Sequence, residues 1–293
     1  VSAVVRAVGV VTGWGTGLAA IPADARGVAG NGRVIAATPK PRLGDRLRRA
    51  TRECLLAVDA VEVLLAEAAI SREAIAGDRT ALIYSTTAAY GASNRAFVEG
   101  GGRALHFPYT APSAVPAEVA IEFGLHGAYT VLIGGGTATV AALEHASTLL
   151  ARRACDRAIV LAVETFAECE DLFARGRWLV DGPLVEAAAA ALLEKAASNA
   201  EGGLGGASRV PPTSIKSGLG GASRVPPTSI KSGLGGASRV PPLANNTLAC
   251  APLIELAAAL ATRRHDLTLS AQWRGQDATM RLRLSESGAV ARS

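Results

Sequence analysis

Two hydrophobic periods alternate along the first two thirds of the chain, and the alternation predicts strands and helices in turn. Val4 to Thr12 is a β-branched run closed by Gly13, Gly15 and Gly17, which is how a buried strand ends in a turn. From Arg42 to Ile70 the period becomes helical. Leu47, Cys54, Val58, Val61 and Leu65 recur at spacings of seven, four, three and four, and the charges of Arg48, Arg49, Arg52, Glu53 and Glu62 fall largely elsewhere. Arg79 to Thr86 is the next strand, and Ala111 to Phe123 leads through Pro112 and Pro116 into a short helix. Thr130 to Ile133 forms a third strand, broken by Gly134, Gly135 and Gly136 before a helix from Ala138 to Leu150. Arg157 to Val163 is a fourth strand. Ala187 to Glu194 reads as a fifth, although its alanines suit a helix equally well. Strands alternating with helices predict an α/β layered fold.

After Lys195 the pattern is lost. Gly203 to Ser217 reads GLGGASRVPPTSIKS, Gly218 to Ser232 repeats it without a change, and Gly233 to Pro242 begins a third copy. Solenoid repeats are longer, about 20–50 residues, and carry an apolar face to stack. A short unit rich in Gly, Ser and Pro is instead an expanded loop, read as a structurally passive insert. The rival reading is a binding arm whose Arg209, Arg224, Arg239, Lys216 and Lys231 recruit an acidic partner. Beyond it, 243–264 reads as a turn and an Ala-rich helix. Asp266 to Leu284 alternates like two antiparallel strands joined at Arg274-Gly275-Gln276-Asp277. The domain division that follows is 1–195, an insert over 196–242, and a reduced unit over 243–293.

Composition narrows the function. At 49% hydrophobic and 19% charged, the 293-residue chain is too apolar to be disordered and long enough to bury a core. The net charge of +5 comes from scattered basic residues, and aromatics make up 4%, so neither nucleic-acid binding nor a stacking platform is indicated. Cys54, Cys155, Cys169 and Cys250 form no CxxC pair, and His106, His126, His145 and His265 form no HxH or HExxH pattern, so no metal site is expected. Surface or packing roles suit the histidines; Cys169, just past a strand, could be an exposed thiol, and a buried or merely tolerated cysteine is the safer reading. A basic n-region with a long apolar core is missing from the start, and no uninterrupted apolar stretch approaches about 18 residues. A cytoplasmic protein with reduced thiols and no membrane association is the expectation. Gly134-Gly135-Gly136-Thr137 fits neither a Walker A loop nor GxGxxG, so no nucleotide cofactor is expected and the glycines read as a structural elbow. Thr137 and Thr139 read as helix-start hydroxyls. Glu164, at the end of its strand, reads as a structural hydrogen-bond acceptor near that elbow.

Several segments in order resemble the β-ketoacyl synthases of the thiolase superfamily. They are the helix from Arg42, ALIYSTT, FPYTAPSAVPAEVAIEFGLHG, TVLIGGGTATVAALEHA, RAIVLAVETF, RWLVDGPLVEAAAAALLEK, NNTLACAPLIELAAALA and LTLSAQWRGQDATMRL. The resemblance implies a thiolase-like layered α/β/α architecture with a complete first half and a shortened second half. In an active member a cysteine at the strand-to-helix elbow takes up the acyl group, activated by a helix N-terminus and nearby amides. That position is Gly136 here. The family's Gly-His-Thr histidine aligns with Asn246, whose amide cannot exchange protons as imidazole does. The lysine that precedes it has a counterpart in Lys216 or Lys231, and the family's first histidine has none.

The resemblance implies an acyl-pocket elbow at Gly134, Gly135, Gly136 and Thr137. It also implies a dimer edge at Thr130, Val131, Leu132 and Ile133, since in this superfamily the elbow strand pairs with its equivalent in a second subunit. Dimer surface without nucleophile or base looks like a chain-length-factor-type subunit. Such a subunit would pair with an active β-ketoacyl synthase, shape its acyl pocket and meet an acyl carrier protein in fatty acid or polyketide-type biosynthesis, without catalysing condensation by itself. Two rivals stand beside it. One is an acyltransferase or hydrolase for acyl-CoA or acyl-carrier substrates using Thr137, Cys169 or Glu164. The other is a homodimeric scaffold of the same fold.

Overall fold

The computed structural model describes residues 3–30, 33–41, 46–48, 50–102, 104–175, 183–196 and 244–284. The repeats, with Lys216 and Lys231, lie outside them. Eighteen labelled elements organise the chain: β1 (Ala3–Thr12), β2 (Gly15–Thr16), α1 (Ala25–Ala29), β3 (Val34–Ile35), α2 (Arg52–Ala68), α3 (Arg72–Ile75), β4 (Thr80–Thr86), α4 (Gly91–Glu99), α5 (Ala114–Phe123), β5 (Tyr129–Ile133), α6 (Gly136–Ala151), β6 (Arg157–Glu164), α7 (Glu170–Arg175), β7 (Leu184–Val185), β8 (Ala187–Lys195), α8 (Ala251–Ala261), β9 (Asp266–Trp273) and β10 (Gln276–Leu284).

The main sheet runs β5-β4-β6-β8-β1-β10-β9. β4 lies parallel to both β5 and β6, while β8 is antiparallel to its neighbours β6 and β1. The period of two assigns each residue to a face. In β6, Ala158, Val160 and Ala162 point to one core layer, and Ile159, Leu161 and Val163 to the other. β8 resolves the ambiguity of its alanines in the same way. Ala187, Ala189 and Ala191 pack on one side and Ala188 and Ala190 on the other. A residue run buried on both faces belongs to a central strand, whatever its helix propensity.

One face carries α2 and α5. The approach is closest at Gly9, where an added Cβ would sit 2.8 Å from Leu64 Cα, inside the backbone of α2. Gly9→Ala is therefore expected to cost about 1–3 kcal/mol by overpacking, measured as a lowered denaturation midpoint. An unchanged midpoint would show that the helix can move away.

The other face carries α6 and α8, and beyond them the β9–β10 hairpin. Leu267, Leu269, Ala271, Leu282 and Leu284 join the same core layer as the two helices. β10 meets β1 in parallel at Val4↔Arg283 and Val5↔Leu284, so the sheet curls and the hairpin covers α6 and α8. Among the described residues after 243, the second half consists of a 3-10 segment (Ala244–Cys250), one helix and one hairpin. The result is an α/β layering in which β10 and β9 extend the main sheet beyond β1 and fold back over the helices.

The periodicity misplaced one boundary. The helix expected from Arg42 begins at Arg52, after the extended Thr51, and Arg46–Arg48 form a turn. Leu47 is buried from that turn at a spacing that mimics the helical face.

Candidate functional site

β5 leaves the sheet at Ile133 and the chain turns through Gly134 and Gly135 into α6. The turn is held by the Gly134 N–H to the Thr86 carbonyl at 2.9 Å and by Thr87 Oγ1 donating to the Gly134 carbonyl at 3.1 Å. Gly135 is the N-cap, and no side chain caps the first turn. The positions expected at the elbow therefore come together, but Thr137 and Thr139 do not serve as caps. Thr139 Oγ1 donates instead to the Ala249 carbonyl at 2.6 Å and lies 2.8 Å from Ser85 Oγ. A hydroxyl facing a partner 110 residues away was drawn off the helix terminus by tertiary packing.

Gly136 sits at the elbow with little room. An added Cβ would meet Ala271 Cβ at 3.1 Å and Pro252 Cγ at 3.4 Å. Asn246 is buried, and its side-chain amide donates to the Pro183 carbonyl at 2.7 Å. The two aligned positions thus stand on adjoining segments, but neither offers a nucleophile or a base. Thr130 to Ile133 lie on the edge strand of the sheet, with Tyr129 and Ile133 exposed.

Glu164 is the polar centre behind the elbow. Fully buried at the end of β6, its Oε1 accepts from Thr87 N at 2.7 Å and Ala249 N at 3.2 Å, and its Oε2 from Ala88 N at 3.2 Å and Thr86 Oγ1 at 3.4 Å. Burial pushes its pKa up to about 7 against the pull of these hydrogen bonds. The carboxyl group is saturated by donors of its own chain, which suits a latch and not a catalytic acid. Through Ala249 it ties the 3-10 segment to the first half.

Sequence reasoning did not single out Glu186, which the structure shows to be a second such centre. It is fully buried where β7 gives way to β8, and its carboxylate accepts from Ala37 N at 2.7 Å, Phe166 N at 2.6 Å and Ala167 N at 2.7 Å. Arg52 at the start of α2 forks onto both oxygens, with Arg52 Nη2 at 2.7 Å from Oε1, and continues to Glu168. Burial opposes the charge, yet Arg52 and the amides hold the carboxyl below the usual range. One signal was available: a lone acidic residue opening an apolar run must find a buried partner. Which partner could not be read locally.

The four cysteines are buried free thiols, as expected. Burial pushes Cys54 up to about 12 and raises Cys155, Cys169 and Cys250, the last most strongly. His126 and His265 are exposed, and His145 Nε2 lies 3.2 Å from Thr130 Oγ1. The His106 side chain lies outside the description. Among the described residues no cluster of His, Cys, Asp or Glu could hold a metal ion, and no helix is long and apolar enough to cross a membrane.

β5, β4 and β6 run parallel, and β5 ends at a glycine turn that opens α6. Residues 41–180 match the family model of the β-ketoacyl synthase N-terminal domain. It is similar in fold to the ishigamide ketosynthase/chain length factor, with 20% identity and a TM-score of 0.51 over 68% of this chain and 64% of that one. A β-ketoacyl synthase from Burkholderia phymatum gives 16% identity and a TM-score of 0.50 over 66% and 59%. A ketosynthase domain of the oxazolomycin system of Streptomyces albus gives 18% and 0.50 over 68% and 44%. The chain thus spans less than two thirds of the length of these structures. No curated protein matches it by sequence.

Proposed function

We propose that the chain is a non-catalytic ketosynthase-like subunit of the chain-length-factor type, whose contribution is geometric. One observation carries the proposal: at the elbow, where a ketosynthase acts through a side chain, Gly136 has none, and the space beside it is taken by Ala271 and Pro252. Asn246 spends its amide on the Pro183 carbonyl, which supports the same reading. The residues of the acyltransferase alternative fare no better as nucleophiles. Thr137 and Cys169 are buried, burial raises the thiol, and Glu164 is saturated.

The partner is an active β-ketoacyl synthase, seated on the exposed edge of β5 at Thr130 to Ile133, with an acyl carrier protein delivering chains to the pair. Main-chain pairing at a strand edge needs no catalytic side chain. Exposed Tyr129 and Ile133 on β5 add apolar surface there. The proposal keeps the division into 1–195, a passive insert over 196–242 and 243–293, a place in the cytoplasm, and no cofactor.

Tagged chain expressed with its native host's ketosynthases is expected to recover one of them in equal amount. Recovery of self-pairs alone would replace the heterodimer by the homodimeric scaffold. The isolated chain is expected to show no condensation and no acyl adduct by mass spectrometry after incubation with an acyl-CoA. An adduct would overturn the non-catalytic reading. Gly136→Cys should leave it inactive, since no imidazole is supplied and the new side chain is wedged against Ala271.

A further inference from the structure

Besides its two core layers, the chain has a separate apolar cluster beyond the ends of β5 and β6. Phe166, Leu184 and Leu248 are buried in it, and Phe173 and Trp273 lie half-buried on its rim. Phe166 and Phe173 meet edge to face with centroids 4.9 Å apart. Open α/β sheets place their ligands beyond the carboxyl ends of parallel strands, and this space is filled by the chain itself.

Two features mark the filling as built for that place. The Trp273 indole lies directly on the elbow: a Cβ added to Gly135 would stand 2.5 Å from Trp273 Cδ2 and 2.9 Å from Cγ, so only glycine fits beneath the ring. Leu248 enters the cluster with φ 48° and ψ −107°, a strained backbone for a residue with a side chain. Such strain persists only where the surroundings over-determine it. Trp273 comes from the hairpin and Leu248 from the 3-10 segment, so both fillers belong to the reduced second half.

We infer that Trp273 is a plug that closes this chain's own elbow to acyl groups, and that truncating it opens an apolar pocket for a linear acyl chain. The half-buried indole sits between the elbow and solvent, so its removal opens the space outward and does not leave a sealed void. The described side chains of the cluster are apolar, which suits a hydrocarbon chain. The inference deepens the geometric role proposed above and rests on it for the ligand class. It requires no ketosynthase to be present, so its test fails or succeeds separately from co-purification.

The test titrates the isolated full chain with the fluorescent fatty acid cis-parinaric acid. Trp273→Ala is expected to bind at least about tenfold more tightly than the unsubstituted protein. Leu64→Ala, which hollows the opposite core layer on α2, should bind no better than the unsubstituted protein. Saturating fatty acid should raise the Tm of Trp273→Ala, because the ligand restores packing in a folded pocket. Equal affinity of the unsubstituted protein and Trp273→Ala would overturn the inference, as would a gain in binding without a rise in Tm, which marks a loosened chain. If Trp273→Ala does not fold, Trp273→Leu decides, with an intermediate gain expected and no gain counting against the plug.

Discussion

Glu186→Ala is expected to lower stability by about 3–5 kcal/mol, enough to unfold much of the population in a domain of ordinary stability. The carboxylate is fully buried and faces the Arg52 guanidinium and three backbone N–H groups. Removing it strands all of these donors, and the loss of one member of a buried ion pair costs more than the pair contributes when intact. Arg52 would keep Glu168, whose side chain is partly exposed, so the charge is not wholly abandoned. The damage should be local at first. β7 and the β6–α7 loop lose their joint anchor, and hydrogen exchange at Phe166 and Ala167 should rise before the sheet as a whole opens. A urea midpoint within experimental error of the unsubstituted protein would remove Glu186 from the anchors of the fold. The pH dependence has a definite sign. Because the folded carboxyl titrates below the ordinary value, its contribution is present above the unfolded pKa and is lost as pH falls through the folded one.

Glu164 gives the opposite sign. Its folded pKa, about 7, lies above the ordinary 4.5, with burial as the main cause. The folded state therefore binds the proton more tightly than the unfolded state, and stability falls as pH rises from about 4.5 to about 7, by up to about 3 kcal/mol. Glu53 and Glu255 are raised too and bend the total curve the same way, so the informative quantity is a difference. Subtracting the stability profile of Glu164→Gln from that of the unsubstituted protein should leave a decline across this window and a flat line above it. A difference curve flat throughout would mean that the carboxyl is solvated in a way its surroundings do not suggest. Glu164→Ala should in addition loosen the 3-10 segment, since Ala249 N loses its acceptor there.

The two carboxylates show how far the chain could be read from its letters. Glu164 was legible as a hydrogen-bonding residue near the elbow because it ends a strand whose neighbours end in a glycine turn. Glu186 opens an apolar run, which signals a buried partner, yet Arg52 stands 134 residues earlier. No local pattern links them. The hydroxyls of Thr137 and Thr139 illustrate the reverse case: their position at a helix start suggested capping, and a contact with Ala249 redirected Thr139. Leu47 extended a helical spacing into a turn because spacing records burial, not backbone shape.

What the letters alone settled is the succession of strands and helices and the glycine turn at Gly134 to Gly136. These follow from side-chain period and from glycine's lack of a Cβ, both properties of short stretches of chain. Only the folded molecule decided that the hairpin curls over α6 and α8, that Trp273 lies on Gly135, and that Glu164 and Thr139 clasp Ala249 from both sides. The contacts of Ala249 with Glu164 and Thr139 span 85 and 110 positions, and such partners are chosen by the close packing of whole layers, which no local period encodes.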